Sequence, residues 1–282
     1  MMRAPLLRTI FHRPGLVIGL VLTGILIALA LLSLIWTPYD PTLMAIADRL
    51  KGPSLRHWLG TDQFGRDIAS MLMRGAVNSI YVGLLSVGFG VLVGGALGTI
   101  AAAARGTLFE EIIMRTADFT FAFPAVLTAI MVTQLIGPGT LSAILAIAIF
   151  NVPVFARLTS SAALAVWGRD YIAAARVAGK TPLEITLQHV IPNIAGLIIV
   201  QASIQFALAI LAEAGLSYLG VGTQPPNPSW GRMLNDAQTY LKVQPFLAIF
   251  PGVAIALAVF GFNMLGDGLR DLLDPQSRRA RQ

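Results

Sequence analysis

The chain has 282 residues, of which 56% are hydrophobic and 12% charged, and its mean hydropathy is +0.74. A soluble domain carries about 25% charged residues, so a chain this long and apolar cannot cover its own surface in water, and disorder, which needs low hydrophobicity and high charge, is excluded with it. The lack of cysteine excludes disulfides, thiolate nucleophiles and cysteine-ligated metal, and the formal charge of +6 points to membrane lipid rather than nucleic acid, since no basic cluster is interleaved with aromatics.

The predicted class is all-α: a polytopic transmembrane helical bundle. A bilayer core takes about 20 apolar residues per helix, and six stretches approach that length: 16–36, 80–104, 119–136, 141–156, 194–212 and 246–265. None of them contains Asp, Glu, Lys or Arg. The first follows Arg3, Arg8 and Arg13, but its apolar run exceeds the roughly 7–15 residues of a signal peptide and no small-residue cleavage site follows, so an uncleaved helix is expected. Trp36 and Tyr39 sit at its end, where amphipathic rings favour the interface. The second stretch carries Gly90, Gly94 and Gly98 at a spacing that lets another helix approach closely. The third and fourth are joined by Gly137-Pro138-Gly139-Thr140, a helix-breaking turn that predicts a tight hairpin.

Thirteen of the 20 Lys and Arg fall on one side of these six spans, which predicts both termini in the cytoplasm. Segment 37–79 lies on the other side with near-balanced charge and reads as a folded external element. His12, His57 and His189 are far apart and form no metal-binding spacing, so no metal site is expected.

Loop 168–193 is the longest predicted cytoplasmic segment. Asp170 to Ala178 favours helix and stops at Gly179, the usual residue just past a helix end. Thr181, Pro182 and Glu184 then form a capping-box signature for a second helix, expected to stop before Pro192. A loop encoding its own helix, turn and capped helix reads as a shape presented to a cytoplasmic partner. Gly179-Lys180-Thr181 imitates the end of a phosphate-binding loop, but Ala174 stands where the first glycine is required and no strand precedes it, so no ATP binding by this chain is expected.

Ala173-Ala174-Ala175 with Gly179 and Ile191-Pro192 resembles the E-A-A-x-x-x-G…I-x-L-P motif of ATP-binding-cassette importer permeases, with Ala173 in place of the glutamate and His189 in place of the isoleucine. The resemblance extends along the chain. Pro38-Tyr39-Asp40-Pro41, His57 to Asp62 and Gly65-Arg66-Asp67 are similar to the first external loop of the dipeptide/oligopeptide branch. Glu213 to Gly220 and Pro228-Ser229-Trp230-Gly231 are similar to its second external loop, and Leu265 to Asp271 with Asp274-Pro275 to its C-terminal signature. Together these resemble the C-type permease subunit of that branch.

The resemblance implies a type I importer permease fold in a bacterial inner membrane. It divides the chain into residues 1–78, the first span and external loop, and 79–282, a five-span core with loop 168–193. It implies as partners a second homologous permease subunit, two ATPase subunits that hold ATP and Mg, and an external substrate-binding protein; no cofactor is expected on this chain. Ala173, Ala174, Gly179, Thr181, Pro182, Glu184, Ile191 and Pro192 are the implied ATPase-coupling residues. Asp62, Arg66, Asp67 and Trp230 are candidates for contact with the binding protein. Gln134, Asn151, Gln201 and Gln205 are candidates for the translocation path, interhelical hydrogen bonding being the other reading of such polar groups. The expected cargo is a di- or oligopeptide, with nickel, glutathione, opines or oligosaccharides as alternatives within the branch. A secondary transporter or channel is the alternative class; no charged residue within the six stretches is available for ion coupling.

Overall fold

A computed structural model describes residues 13–273. Arg3, Arg8, His12, Asp274, Pro275 and the predicted placement of both termini lie outside the described residues.

In lipid, backbone polar groups must be satisfied within the segment, and the long apolar runs do this as helices. Helix α1 is Pro14–Ile35, with proline at the first turn where its missing N–H costs nothing. Helix α2, Ile68–Phe89, passes through a widened π-turn at Gly90–Gly94 into α3, Gly95–Ala103. Then come α4, Leu108–Ala122, α5, Ala125–Ile136, and α6, Thr140–Trp167. Helix α7 is Asp170–Val177; α8, Pro182–Ile185, runs through a second π-turn, Thr186–Val190, into α9, Ile191–Tyr218. Helices α10, Trp230–Ala237, and α11, Phe246–Leu273, complete the described chain. Beyond one antiparallel bridge between Thr61 and Asp67, no strand pairing occurs among the described residues.

Five helical stretches are long and apolar enough to cross a bilayer: Pro14–Ile35, Ile68–Ala103, Thr140–Trp167, Pro182–Tyr218 and Phe246–Leu273. The third predicted stretch, 119–136, belongs to a sixth candidate crossing but differs in shape. It is not one helix: α4 and α5 meet at 93° across a short break. Pro124 is the reason, because it disfavours helical geometry at Phe123 and cannot donate to the ladder. The predicted run joined the last residues of α4 to all of α5.

Other boundaries also move. The second stretch starts at Ile68 rather than residue 80, because the amphipathic first turns are capped by Asp67. The fourth, which already held Pro153, continues past residue 156 to Trp167. The fifth begins at Pro182, so the second loop helix does not stop before Pro192. In an ordinary helix Pro192 would clash with the carbonyl four residues back. The π-turn opens the ladder there, and the Ile191 N–H reaches the Thr186 carbonyl instead. These extended helices now include Arg74, Arg157, Glu184, Glu213, Asp267, Arg270 and Asp271.

Close helix contacts are made at glycines. A Cβ on Gly94 would lie 2.3 Å from the Val152 carbonyl oxygen, and one on Gly98 2.1 Å from Thr159 Oγ1, so the partner of the Gly90-Gly94-Gly98 stripe is α6 of the same chain. Gly19 and Gly268 bring α1 against α11 in the same way. Three cores result. One joins α1, α2, α9, α10 and α11 around Trp230 and Phe262; one joins α2, α5, α6 and α9 around Phe155; one ties α7 and α8 to α3, α6 and α9 through Ile172, Ile185 and Val190. The outer face of α1 leaves Val21, Ile25, Leu31 and Ile35 exposed, a surface fit for lipid rather than water.

Candidate functional site

The helix pair of loop 168–193 is pinned internally. After α7, Gly179 adopts φ +86°, the left-handed conformation that only glycine takes without cost. Its N–H donates to Arg176 O at 2.9 Å and the Lys180 N–H donates to Ala175 O at 3.1 Å, the double bond of a Schellman stop. Thr181 then caps α8. Its Oγ1 accepts from the Glu184 N–H, and the Glu184 carboxylate accepts from the Thr181 N–H at 2.7 Å and from its hydroxyl at 2.8 Å. Lys180 Nζ bridges forward to Gln188 Oε1 at 2.7 Å and lies 3.2 Å from His189 Nε2.

Ile172, Ala175, Ile185 and Val190 are buried and anchor the pair on the bundle. The opposite face is apolar and exposed: Tyr171, Val177, Leu183 and Leu187, with Val177 90% exposed. Ala173, Ala174, Gly179, Thr181, Pro182, Glu184, Ile191 and Pro192 are all exposed as well. The eight residues are therefore all accessible on the loop 168–193 element and the start of α9. The four large apolar side chains beside them were missed in the sequence, where nothing separated the outward face of two such short helices from the inward one.

At the opposite end of the bundle, segment 37–67 folds against α2 and α10. Asp67 caps α2: its Oδ2 accepts from Ser70 N at 2.8 Å and Ser70 Oγ at 2.7 Å, and its Oδ1 lies 3.0 Å from His57 Nδ1. Asp62 accepts from the Phe64 and Arg66 N–H groups, each at 2.8 Å, and from Arg66 Nε at 2.7 Å. Arg66 and Arg232 converge on Asp236 at 3.6 and 3.1 Å. Burial pushes the Asp236 carboxyl above its ordinary 3.8, with Arg232 and Arg66 pulling it back. Trp230 is buried and donates from Nε1 to Leu72 O at 3.0 Å. Asp62, Arg66, Asp67 and Trp230 are thus gathered at one end, all buried, with their polar groups engaged within the chain.

Glu213, which opens the segment similar to the second external loop, is fully buried. Its Oε1 accepts from Asn78 Nδ2 at 2.8 Å, Ser217 Oγ at 2.7 Å and Thr223 Oγ1 at 3.3 Å. Thr223 Oγ1 lies 3.2 Å from Thr140 Oγ1. This cluster ties α2, α9, the start of α6 and the loop after α9 together. Oε2 makes no hydrogen bond of ordinary geometry; the Ser229 hydroxyl is its remaining polar neighbour. The four-residue spacing of Glu213 and Ser217 was the available signal; Asn78 lies too far away in sequence to be paired with them.

Between α5, α6 and α9 lies an apolar cavity of about 490 Å³. Asn151 and Gln205 are the amide side chains in its wall. Asn151 is turned back on its own helix, donating to Ile147 O at 3.1 Å. Gln134 is exposed and Gln201 half-buried, and neither lines the cavity. The four path candidates are therefore split two and two. Asp118, on α4, forms an ion pair with Arg157 of α6.

Residues 94–279 match the family described as binding-protein-dependent transport system inner membrane component. The chain is 40% identical over 262 residues to the dipeptide transport system permease protein DppC of Alkalihalophilus pseudofirmus, covering 93% of this chain and 86% of that protein. It is 43% identical over 253 residues to the glutathione transport system permease protein GsiD of Pectobacterium atrosepticum, covering 89% and 84%. A chain of the MetNI methionine ABC transporter in an inward-facing conformation shares the fold, with TM-score 0.61 and 18% identity over 72% of this chain and 96% of that one. The chain belongs to the family of binding-protein-dependent transport system inner membrane components: it is an inner-membrane permease subunit of an ABC importer, not a catalytic one.

Proposed function

We propose that this permease forms half of the translocation path for di- or oligopeptides or a peptide-like solute such as glutathione, with a second homologous permease subunit as the other half. Two ATPase subunits carrying ATP and Mg dock on loop 168–193, and an external binding protein delivers cargo at the end formed by 37–67 and 219–245. The observation that carries the docking assignment is the exposed Tyr171, Val177, Leu183 and Leu187 face on a helix pair whose other face is locked into the bundle. A rigid element transmits a push; a flexible loop does not. Movement of the ATPases would swing α9 directly, because α8 and α9 form one continuous stretch from Pro182 to Tyr218.

In this reading Asn151 and Gln205 face the path, and the apolar cavity they line faces the second permease subunit. Asp62, Arg66, Asp67 and Trp230 act from beneath the receiving surface by holding its shape. The cargo assignment rests on the relatives named for dipeptide and glutathione transport.

The test is ATP-dependent uptake of a labelled dipeptide in proteoliposomes containing the two permease subunits, the ATPases and the binding protein. Leu183→Asp should leave this chain in the membrane at normal abundance, release the ATPases and abolish uptake. Uptake at the normal rate with Leu183→Asp would overturn the docking assignment. Uptake that persists without ATPase subunits would overturn the energy source.

A further inference from the structure

A second cavity, of about 440 Å³, lies where α1 leaves the membrane. It differs in kind from the apolar one. Its wall combines the polar and charged Asp40, Thr42, Arg74 and Asn227 with the apolar Ile35 and Trp36.

Arg74 stands on α2, half-buried, and among the described residues its guanidinium has no ion pair and no hydrogen bond. Asp40 lines the same cavity without pairing to it. Its Oδ1 instead accepts from the Thr42 N–H at 2.8 Å and hydroxyl at 2.7 Å. These bonds hold the Asp40 carboxyl below its ordinary 3.8, so it is an anion at neutral pH. A cation and an anion thus share one concave wall and leave the space between them empty of protein. A partly buried charge without a partner is costly, and a ligand with charges in the complementary order removes that cost.

The apolar side says which ligand. Ile35 is 91% exposed and Trp36 49%, at the end of a membrane-spanning helix whose outer face continues downward through Leu31. Tryptophan at such a place marks the headgroup level. A soluble zwitterion has no use for an aliphatic column running into the bilayer, whereas a phospholipid has an acyl chain to lay on it.

We propose that this cavity is a binding site for a phospholipid with an ethanolamine headgroup, its phosphate held by Arg74, its ammonium by Asp40, and an acyl chain along Leu31 and Ile35 of α1. An anionic headgroup would leave Asp40 without a cation and repelled. A choline headgroup has no N–H to donate to the carboxylate.

The experiment is native mass spectrometry of the intact transporter containing this chain, stripped of lipid and titrated with phosphatidylethanolamine, phosphatidylglycerol or water-soluble phosphoethanolamine. Wild type should retain phosphatidylethanolamine over phosphatidylglycerol. Arg74→Gln and Asp40→Asn should each weaken that lipid about tenfold, the size of one lost charge-assisted hydrogen bond. Asp40 is exposed and outside the helices, so Asp40→Asn keeps the test open should Arg74→Gln disturb α2. Retention of phosphatidylethanolamine in both variants, equal binding of phosphatidylglycerol, or phosphoethanolamine or a dipeptide competing as well as the lipid would each overturn the proposal.

Discussion

Glu213 offers the sharpest test of how the bundle is held together. Three donors from three parts of the chain share one of its oxygens: Asn78, Ser217 and Thr223. Glu213→Ala removes that acceptor and leaves Ser217 and Thr223 as buried donors and Asn78 as a half-buried one. Side-chain hydrogen bonds within membrane bundles average about 0.6 kcal/mol and reach about 1.7, and an orphaned buried donor costs about 1–3 kcal/mol. Thr223 keeps a bond to Asn78 Oδ1, so its loss is partial. The expected destabilisation is about 2–5 kcal/mol, or roughly 5–15 °C in melting temperature for a chain of this size. Glu213→Gln should behave differently. Its amide oxygen can take the Oε1 position, and its NH₂ can face the Ser229 hydroxyl, so the loss should stay below about 1 kcal/mol. The assay is thermal melting of the detergent-solubilised permease followed by size-exclusion fluorescence. An alanine variant that melts like wild type, or a glutamine variant as unstable as alanine, would refute the assignment of Glu213 as a shared acceptor.

Gly98→Leu should destabilise the bundle by about 1–3 kcal/mol or more, because its Cβ would meet Thr159 Oγ1 at 2.1 Å and Ala156 O at 2.2 Å. Gly88→Ala is the control, since a Cβ there meets nothing within 4 Å; it should be neutral or slightly stabilising in the same melting assay. Asp236→Asn should change the pH profile of melting. The Asp236 carboxyl is raised by burial above its ordinary 3.8, so its contribution is fully present below about 3.8 and is lost as pH rises through the raised value. The melting temperature of Asp236→Asn relative to wild type should therefore climb from pH 4 to pH 7, and a relative fall would contradict that sign.

The spans were legible because an apolar run of about 20 residues has few alternatives in lipid. Their ends were not. Residues 68–79 and 157–167 are amphipathic, carrying Arg74 and Arg157, and a search for charge-free runs stops short of them. Pro124 and Pro192 show why proline alone does not decide. At Pro124 the chain turns by 93°, whereas at Pro192 a π-turn absorbs the missing donor and the helix continues. The capping box of Thr181 and Glu184 and the left-handed Gly179 were legible, since both depend on neighbours in sequence. The candidate site at the other end was legible as a set of residues but not as an arrangement. Arg66 meets Asp62 four residues away, but Asp236 only through the fold. For the same reason Asn78 could not be placed beside Glu213.

The chain has no cysteine, so Leu183→Cys places a single thiol on the exposed face of α8. Cross-linking from that thiol in the assembled transporter, with and without ATP, tests most directly whether loop 168–193 is the ATPase dock. The thiol should link to an ATPase subunit in high yield, and Gly179→Val, which forces a β-branched side chain into a left-handed turn, should reduce both the yield and ATP-driven uptake while the chain stays in the membrane. A thiol at 183 that links only to lipid or to the second permease, with uptake normal in Gly179→Val, would contradict the account.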